Sequence, residues 1–351
     1  MKRHLVYLGS LIMSAVLQAA PVAEPSSFSP APREANYPEF MQQQVTPFWQ
    51  QGQQQTLTST DGLPLQTIRF HSPQHQQVIM VVNGRLESFL KYQELAYDLF
   101  QQGYDVVMFD HRGQGLSGRM LPDRHKGYVA DFSDYQRDMK QVYQTLIAGQ
   151  GYQQAFLLAH SMGGAVSAGY LETYPQDFTA AALSAPMLGI ALPLPHWLTR
   201  SITGVAEWVS SWAESYAPGT GPYKATPFAN NDLTHSEPRY QWFRELYAAN
   251  PNVQLGGPTL HWIREGMQAG EDAITHAPEL TTPLLLLQGG QDSVVDNEAH
   301  RRFCTAMAEA GHPCEGNQPY VIDGARHELL FEQDPLRTQA LRQILAFFAR
   351  Y

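Results

Sequence analysis

Charge is scarce in this chain of 351 residues. Asp, Glu, Lys and Arg together make up 16% of it, where about a quarter is usual. The balance is acidic, a formal net charge of -10, and no basic run of the kind that tracks a phosphate backbone occurs. Nucleic acid is therefore excluded as a partner. An acidic surface also repels anionic lipid, so any peripheral membrane contact has to rest on apolar area or on the N-terminus. Cysteine is almost absent. Cys304 and Cys314 lie ten residues apart: either they close a small loop as a disulfide in an oxidising compartment, or Cys304 is a buried helical thiol and Cys314 is incidental. Thirteen histidines occur, but none pairs with another at metal-ligand spacing beside a carboxylate, so neither a metal nor a cofactor is expected. Nor is there an apolar run of the roughly 20 residues needed to span a bilayer.

The nearest to such a run is Leu5 to Leu17, preceded by Lys2, Arg3 and His4. A positive start followed by a short apolar stretch predicts an export signal over residues 1–20. It lacks a tidy Ala-x-Ala and runs into Pro21, so either cleavage or an uncleaved tether fits, and no nearby cysteine permits a lipid anchor. The signal places the protein in the cell envelope, periplasmic or associated with the inner membrane, with the cytoplasmic face of that membrane as the alternative. Residues 21–55 are rich in proline and then glutamine, the composition of a linker. Phe40, Val45, Phe48 and Trp49 leave room within it for a short helix that covers the domain.

What the chain has in quantity is apolar residues, 43%, in a distinct rhythm. Thr56 to Thr58 and Leu65 to Phe70 flank Asp61-Gly62, a hairpin signature. Val78 to Val82 is an unbroken apolar run, as a strand covered on both faces requires. Helix-spaced apolar residues then alternate with short apolar runs: a helix over 91–102, a strand over 106–109, a helix over 135–147, a strand over 155–158, a helix over 162–173 and a strand over 180–183. After 279 the alternation resumes with strands at 284–287 and 320–322 and helices at 298–310 and 336–348. This is an α/β pattern with a mostly parallel sheet. It divides into core segments 56–185 and 279–351 and an insertion, 186–278, rich in proline and tryptophan, that reads as a helical cap. Pro186 to Leu198 is too apolar for an idle loop and is expected to line an acyl channel, to touch lipid, or to pack the cap onto the sheet.

The run Phe156 to Ala159 stops at His160-Ser161-Met162-Gly163-Gly164 and a helix begins at once. A hydroxyl at a cramped strand-to-helix turn, flanked by small residues, is the context of a nucleophile elbow, although Ala159 stands where Gly-x-Ser-x-Gly has its first glycine. The partners follow in the order acid, then histidine. Asp292 lies in the loop after the strand at 284–287. Asp296 is the alternative acid, but just ahead of Asn297-Glu298 it also fits a helix N-cap. His327 lies beyond the last strand and is the expected base, with Ser161 as the catalytic nucleophile. The oxyanion hole would use the backbone N–H groups of Met162, at the helix opening, and of Arg85, in the loop after the first buried strand. His160 is expected to be structural, and Asp110 to Gly113 to pin adjacent turns.

Beyond the serine motif, NGRLESFLKYQELAYDLF from Asn83, FDHRGQGLSGR from Phe109, LLAHSMGGA from Leu157, APMLGI from Ala185, GGPTLHWIREGMQAGE from Gly256, VVDNEAHRRFC from Val294 and DGARHELLFE from Asp323 resemble the α/β-hydrolase superfamily. Within it, they resemble the monoacylglycerol-lipase-like group also called serine aminopeptidase S33. The likeness spans nearly everything after residue 55. It implies the α/β-hydrolase fold with a mostly parallel central sheet and a helical cap insertion, a serine esterase acting through Ser161, His327 and Asp292, and, among its bacterial members, a lysophospholipid substrate. A monoacylglycerol or a general carboxylic ester is the alternative. Where relatives carry His-Gly before the second oxyanion donor, this chain has Asn83-Gly84.

Overall fold

The computed structural model describes residues 27–191 and 195–351; the signal-like segment 1–20 and residues 192–194 of the apolar stretch lie outside the described residues. Eight strands form one sheet: β1 (Gln53–Thr58), β2 (Pro64–Phe70), β3 (Gln77–Val82), β4 (Tyr104–Phe109), β5 (Gln154–His160), β6 (Ala180–Ser184), β7 (Leu284–Gly289) and β8 (Tyr320–Ile322). Their order is β1-β2-β4-β3-β5-β6-β7-β8; β2 runs antiparallel to both of its neighbours, β1 and β4, and every other pair is parallel. This is the α/β-hydrolase fold, and every strand expected from the sequence lies within these limits to a residue or two.

Alternation along β3 shows why its sequence is apolar throughout. Val78, Met80 and Val82 enter one buried cluster, while Ile79 and Val81 enter another on the opposite face. The first face is covered by α2 (Ser133–Leu146), α3 (Met162–Thr173) and α8 (Asn297–Glu309), the second by α1 (Gln93–Gln101) and α9 (Asp334–Phe348). Cys304 of α8 and Cys314 form a buried disulfide.

Between β6 and β7 come α4 (His196–Ala206), α5 (Ser210–Ala213), α6 (Glu237–Ala249) and α7 (Leu260–His276). The last of these is more than a cap element. Trp262 and Ala273 belong to the sheet's own core cluster, and a Cβ on Gly270 would lie 2.7 Å from the Leu188 carbonyl oxygen.

Within 21–55 the short helix that the sequence left room for is present. Residues 34–49 are helical, with a π turn at Met41–Val45, and bury Tyr37, Met41, Val45 and Phe48. A charge network fastens this segment to three others. Glu94 of α1, fully buried, accepts from Arg239 of α6 (2.8 Å), Arg33 (3.0 Å) and Tyr37 (3.1 Å); Arg239 also donates to Asp334 (2.6 Å), and Arg337 of α9 pairs with Asp98 (2.7 Å). Glu94 is thereby held well below the ordinary carboxylate range: burial opposes ionisation, but Arg337, Arg239 and Arg33 outweigh it. The cap is thus ion-paired to the core.

Candidate active site

Because β3, β5, β7 and β8 run parallel, their C-terminal loops gather at one edge of the sheet, where open α/β sheets place ligands. These loops carry Arg85, Ser161, Asp292 and His327.

Ser161 joins β5 directly to α3 and adopts φ +51°, ψ -119°, a conformation that L-residues rarely take. The strain is held by its surroundings. Its N–H donates to the Ser184 carbonyl (3.1 Å), and its own carbonyl accepts from Gly164 (2.8 Å) and Met187 (2.9 Å). No space for a side chain is left at Gly163 or Gly164. A Cβ on Gly163 would sit 2.5 Å from the Val82 and Asn83 carbonyl oxygens, and one on Gly164 would sit 2.5 Å from Pro186 Cβ. Ala159 is accommodated in place of glycine because its methyl lies in the core, with β3 and β6 on either side.

His327 Nε2 lies 2.9 Å from Ser161 Oγ, and His327 Nδ1 lies 2.7 Å from Asp292 Oδ2. The other oxygen of Asp292 accepts from the amides of Val294 (2.8 Å) and Val295 (3.2 Å). Burial works against ionisation of Asp292, but His327 and these two amides prevail and lower its pKa. Asp296 stands apart: its carboxylate caps α8 by accepting from the Glu298 amide (2.9 Å). The serine, histidine and Asp292 therefore form one hydrogen-bonded line, an arrangement that can deprotonate a hydroxyl and stabilise the resulting imidazolium. Neither the Met162 nor the Arg85 amide donates to a backbone or side-chain acceptor among the described residues, which leaves both free for a developing oxyanion.

The loop after β3 is held by Glu87 and Lys91, which sequence alone did not single out, and by Asp110. Glu87 accepts from the Gly84 amide (2.6 Å), Tyr92 (2.5 Å) and Lys91 (2.8 Å), and Lys91 reaches across to Glu328 (2.5 Å), the residue after His327. Asp110 accepts from Ser88 (2.8 Å), from the Phe89 (2.6 Å) and Leu116 (2.7 Å) amides, and from Asn83 (3.2 Å). Arg112 pairs with Asp138 (2.7 Å), so the 110–113 motif pins turns as expected. His160 lies 3.2 Å from the Ser184 carbonyl oxygen, with its ring 4.9 Å from that of His327. His300, which sequence reasoning passed over, lies 2.7 Å from the Pro186 carbonyl oxygen and 3.3 Å from Gln288 Oε1.

Burial holds His111, His160 and His300 neutral and lowers each to about 4. Unfolded, each would titrate near 6.5. Between these values the unfolded chain binds protons that the native state refuses, so stability falls as pH drops from about 6.5 to about 4, by up to roughly 3 kcal/mol per histidine. Asp110, pushed up to about 6 by burial, acts in the opposite sense over part of that window. Urea midpoints at pH 7 and pH 5 should show a net loss on acidification. Equal midpoints would contradict it.

A cavity of about 600 Å³ opens above Ser161 and His327, with Met187, Ile190 and Trp262 among its walls. Part of the apolar 186–198 stretch thus faces the site, as one of its expected roles requires.

The profile of the family described as "Serine aminopeptidase, S33" matches residues 73–334. The chain is 44% identical over 319 residues to lysophospholipase L2 of Escherichia coli strain K12, covering 91% of this chain and 94% of that one. It is 34% identical to a probable lysophospholipase L2 of Haemophilus influenzae, over 90% and 98% of the two chains. Among solved structures, a soluble variant of monoglyceride lipase from Saccharomyces cerevisiae superposes with a TM-score of 0.65 at 17% identity, over 85% and 96% of the chains, a likeness of fold. The chain belongs to the serine aminopeptidase S33 family of α/β-hydrolases, as a serine-hydrolase-type enzyme related to the lysophospholipases L2.

Proposed function

We propose that the enzyme cleaves the acyl ester of lysophospholipids, releasing a fatty acid and a glycerophosphodiester, with Ser161 as nucleophile, His327 as general base and acid, and Asp292 as the orienting carboxylate. The hydrogen-bonded Ser161–His327–Asp292 line at the floor of the cavity carries this proposal. Ser161 Oγ attacks the ester carbonyl as its proton passes to His327 Nε2. The oxyanion is met by the amides of Met162 and Arg85. His327 returns the proton to the leaving glycerol oxygen, and an acyl-enzyme remains. Water completes the cycle. An alcohol in its place gives acyl transfer. Asp292, with its lowered pKa, stays ionised throughout.

Turnover of lysophosphatidylethanolamine, lysophosphatidylcholine and monoacylglycerol with one common acyl chain tests the substrate class. Comparable or faster turnover of the lysophospholipids is expected. Strong monoacylglycerol turnover with none on either lysophospholipid would instead mark a monoacylglycerol lipase or general carboxylesterase.

The cap supplies a lipid-facing surface in this proposal. Trp197, Trp208 and Trp212 of the α4–α5 region are 69%, 89% and 57% exposed, with Val205 and Val209 between them. Indoles are suited to the membrane–water boundary. Among the described residues no helix is long and apolar enough to cross a membrane. Replacing Trp208 and Trp212 together by Ser should weaken co-sedimentation with phospholipid vesicles about tenfold or more, since each indole withdraws roughly 1–2 kcal/mol of apolar contact. Unchanged sedimentation would remove this surface from the account.

The disulfide favours an oxidising compartment, so we place the protein in the envelope, periplasmic or at the inner membrane. Digestion by protease in spheroplasts is the expected result; protection would favour the cytoplasmic side.

A further inference from the structure

Buried guanidinium groups in this protein are normally answered by carboxylates. Arg33, Arg112, Arg239 and Arg337 each have at least one within 3.0 Å. Arg119 is instead surrounded by carbonyls, those of Gly115, Ser117, Arg124 and Asn252. Two arginines in the wall of the active-site cavity break the pattern.

Arg85, which also carries one of the proposed oxyanion amides, makes a single side-chain hydrogen bond among the described residues, to the Gly256 carbonyl (2.8 Å). Its guanidinium lies 4.9 Å from the centre of the Trp262 ring, and its Nε is buried without a partner. Burial alone lowers its pKa to about 10, which leaves it charged at neutral pH. Arg244, on α6, donates to the Tyr240 hydroxyl (2.8 Å), lies 4.8 Å and 4.7 Å from the centres of the Tyr240 and Phe243 rings, and among the described residues also has a buried Nε without a partner. Lys224, exposed at the rim, lines the same cavity. None of the three forms an ion pair among the described residues. The two carboxylates that line this cavity, Glu87 and Glu328, are already bridged by Lys91.

A guanidinium taken out of water with hydrogen-bonding capacity unspent and no counter-charge is costly. The same arrangement is what an incoming anion needs, because arginine binds a phosphate through directed, charge-assisted hydrogen bonds. The leaving group proposed above carries one such anion, separated from the scissile ester only by its glycerol. We propose that Arg85 and Arg244 form the receptor for the head-group phosphodiester, with Lys224 drawing the anion in at the rim. This deepens the lysophospholipid proposal and rests on it. It also assigns Arg85 two tasks: its amide faces the developing oxyanion, and its side chain holds the phosphate.

The test uses the full-length protein and two readouts. One is the ratio of kcat/KM on 1-acyl lysophosphatidylethanolamine to that on a monoacylglycerol of the same chain. The other is competitive inhibition by sn-glycero-3-phosphoethanolamine of the hydrolysis of a short neutral ester, p-nitrophenyl butyrate. In Arg244→Gln and in Arg85→Gln the ratio should fall, and the inhibition constant rise, about tenfold or more. Arg244→Lys, which keeps the charge, should recover part of both. If these side chains merely brace the cap, both substrates lose rate together and the ratio holds, which overturns the inference while leaving the lysophospholipase proposal intact. Failure of the wild type to hydrolyse the lysophospholipid would overturn that proposal instead. The inhibition readout still reports separately on the phosphate site, and no inhibition of the wild type would overturn it.

Discussion

Ser161→Ala and His327→Ala should each lower kcat by on the order of 10⁵- to 10⁶-fold, and the double variant should lose little more, because nucleophile and base act as one unit. Asp292→Asn should lose about 10⁴-fold, because an amide in that place favours the wrong imidazole tautomer. Asp296→Asn should retain most activity. Its carboxylate touches the α8 amide of Glu298 and not His327, and Asn is an equally good cap. Single-turnover assays of all five variants on one substrate supply the comparison. A large loss in Asp296→Asn with activity kept in Asp292→Asn would reverse the assignment of the acid.

The second large effect is on stability. Lys91 is buried between Glu87 and Glu328, joining the loop after β3 to the residue beside His327. Burial works to raise both carboxyls. Lys91 and His160 nonetheless hold Glu87 down at about 2, whereas Glu328 stays raised, Lys91 compensating it only in part and Glu87 repelling it. Lys91→Met leaves two buried carboxyls facing one another without a cation. Breaking a buried pair in this way typically costs about 3–5 kcal/mol. Urea unfolding should show a clear fall in midpoint, and Lys91→Met combined with Glu328→Gln should regain part of it, since one of the stranded charges is then removed. A wild-type midpoint in Lys91→Met would mean that the triad contributes nothing net to folding.

The sign of the Glu87 contribution follows from its depressed pKa. Its stabilisation is present above the unfolded value near 4.5 and disappears as pH falls through about 2. The buried histidines act earlier, from about 6.5 downward, and so set the first acid loss.

Local chemistry made the site legible. Strand, cramped turn and helix around Ser161 can be read from small residues at fixed offsets, because only they fit where β5 meets α3. Asp292 and His327 stand out because each follows an apolar run that ends at the same sheet edge. Long-range electrostatics were not legible in the same way. Lys91 and Glu328 are 237 positions apart, and Arg239 and Glu94 are 145 apart. Nothing in either neighbourhood announces a partner so distant. The helical stretch at 34–49 lies between these cases. Its glutamines and prolines suggest a linker, yet Tyr37, Met41, Val45 and Phe48 repeat at helical spacing and all are buried. The short helix that Phe40, Val45, Phe48 and Trp49 left room for is therefore present, and it begins earlier, before Tyr37. The cap's last helix misleads for a related reason: α7 follows an aromatic-rich insertion, but Trp262, Gly270 and Ala273 pack it against the sheet's own layer.

Fatty acid release from 1-acyl lysophosphatidylethanolamine, followed for the wild type and Ser161→Ala side by side, tests the central claim most directly. Robust release by the wild type and none above background by a folded Ser161→Ala is the predicted result. Equal release by both proteins would contradict Ser161 as the nucleophile. No release by a wild type that still reacts at Ser161 with a fluorophosphonate would keep the serine hydrolase and contradict the lysophospholipid substrate.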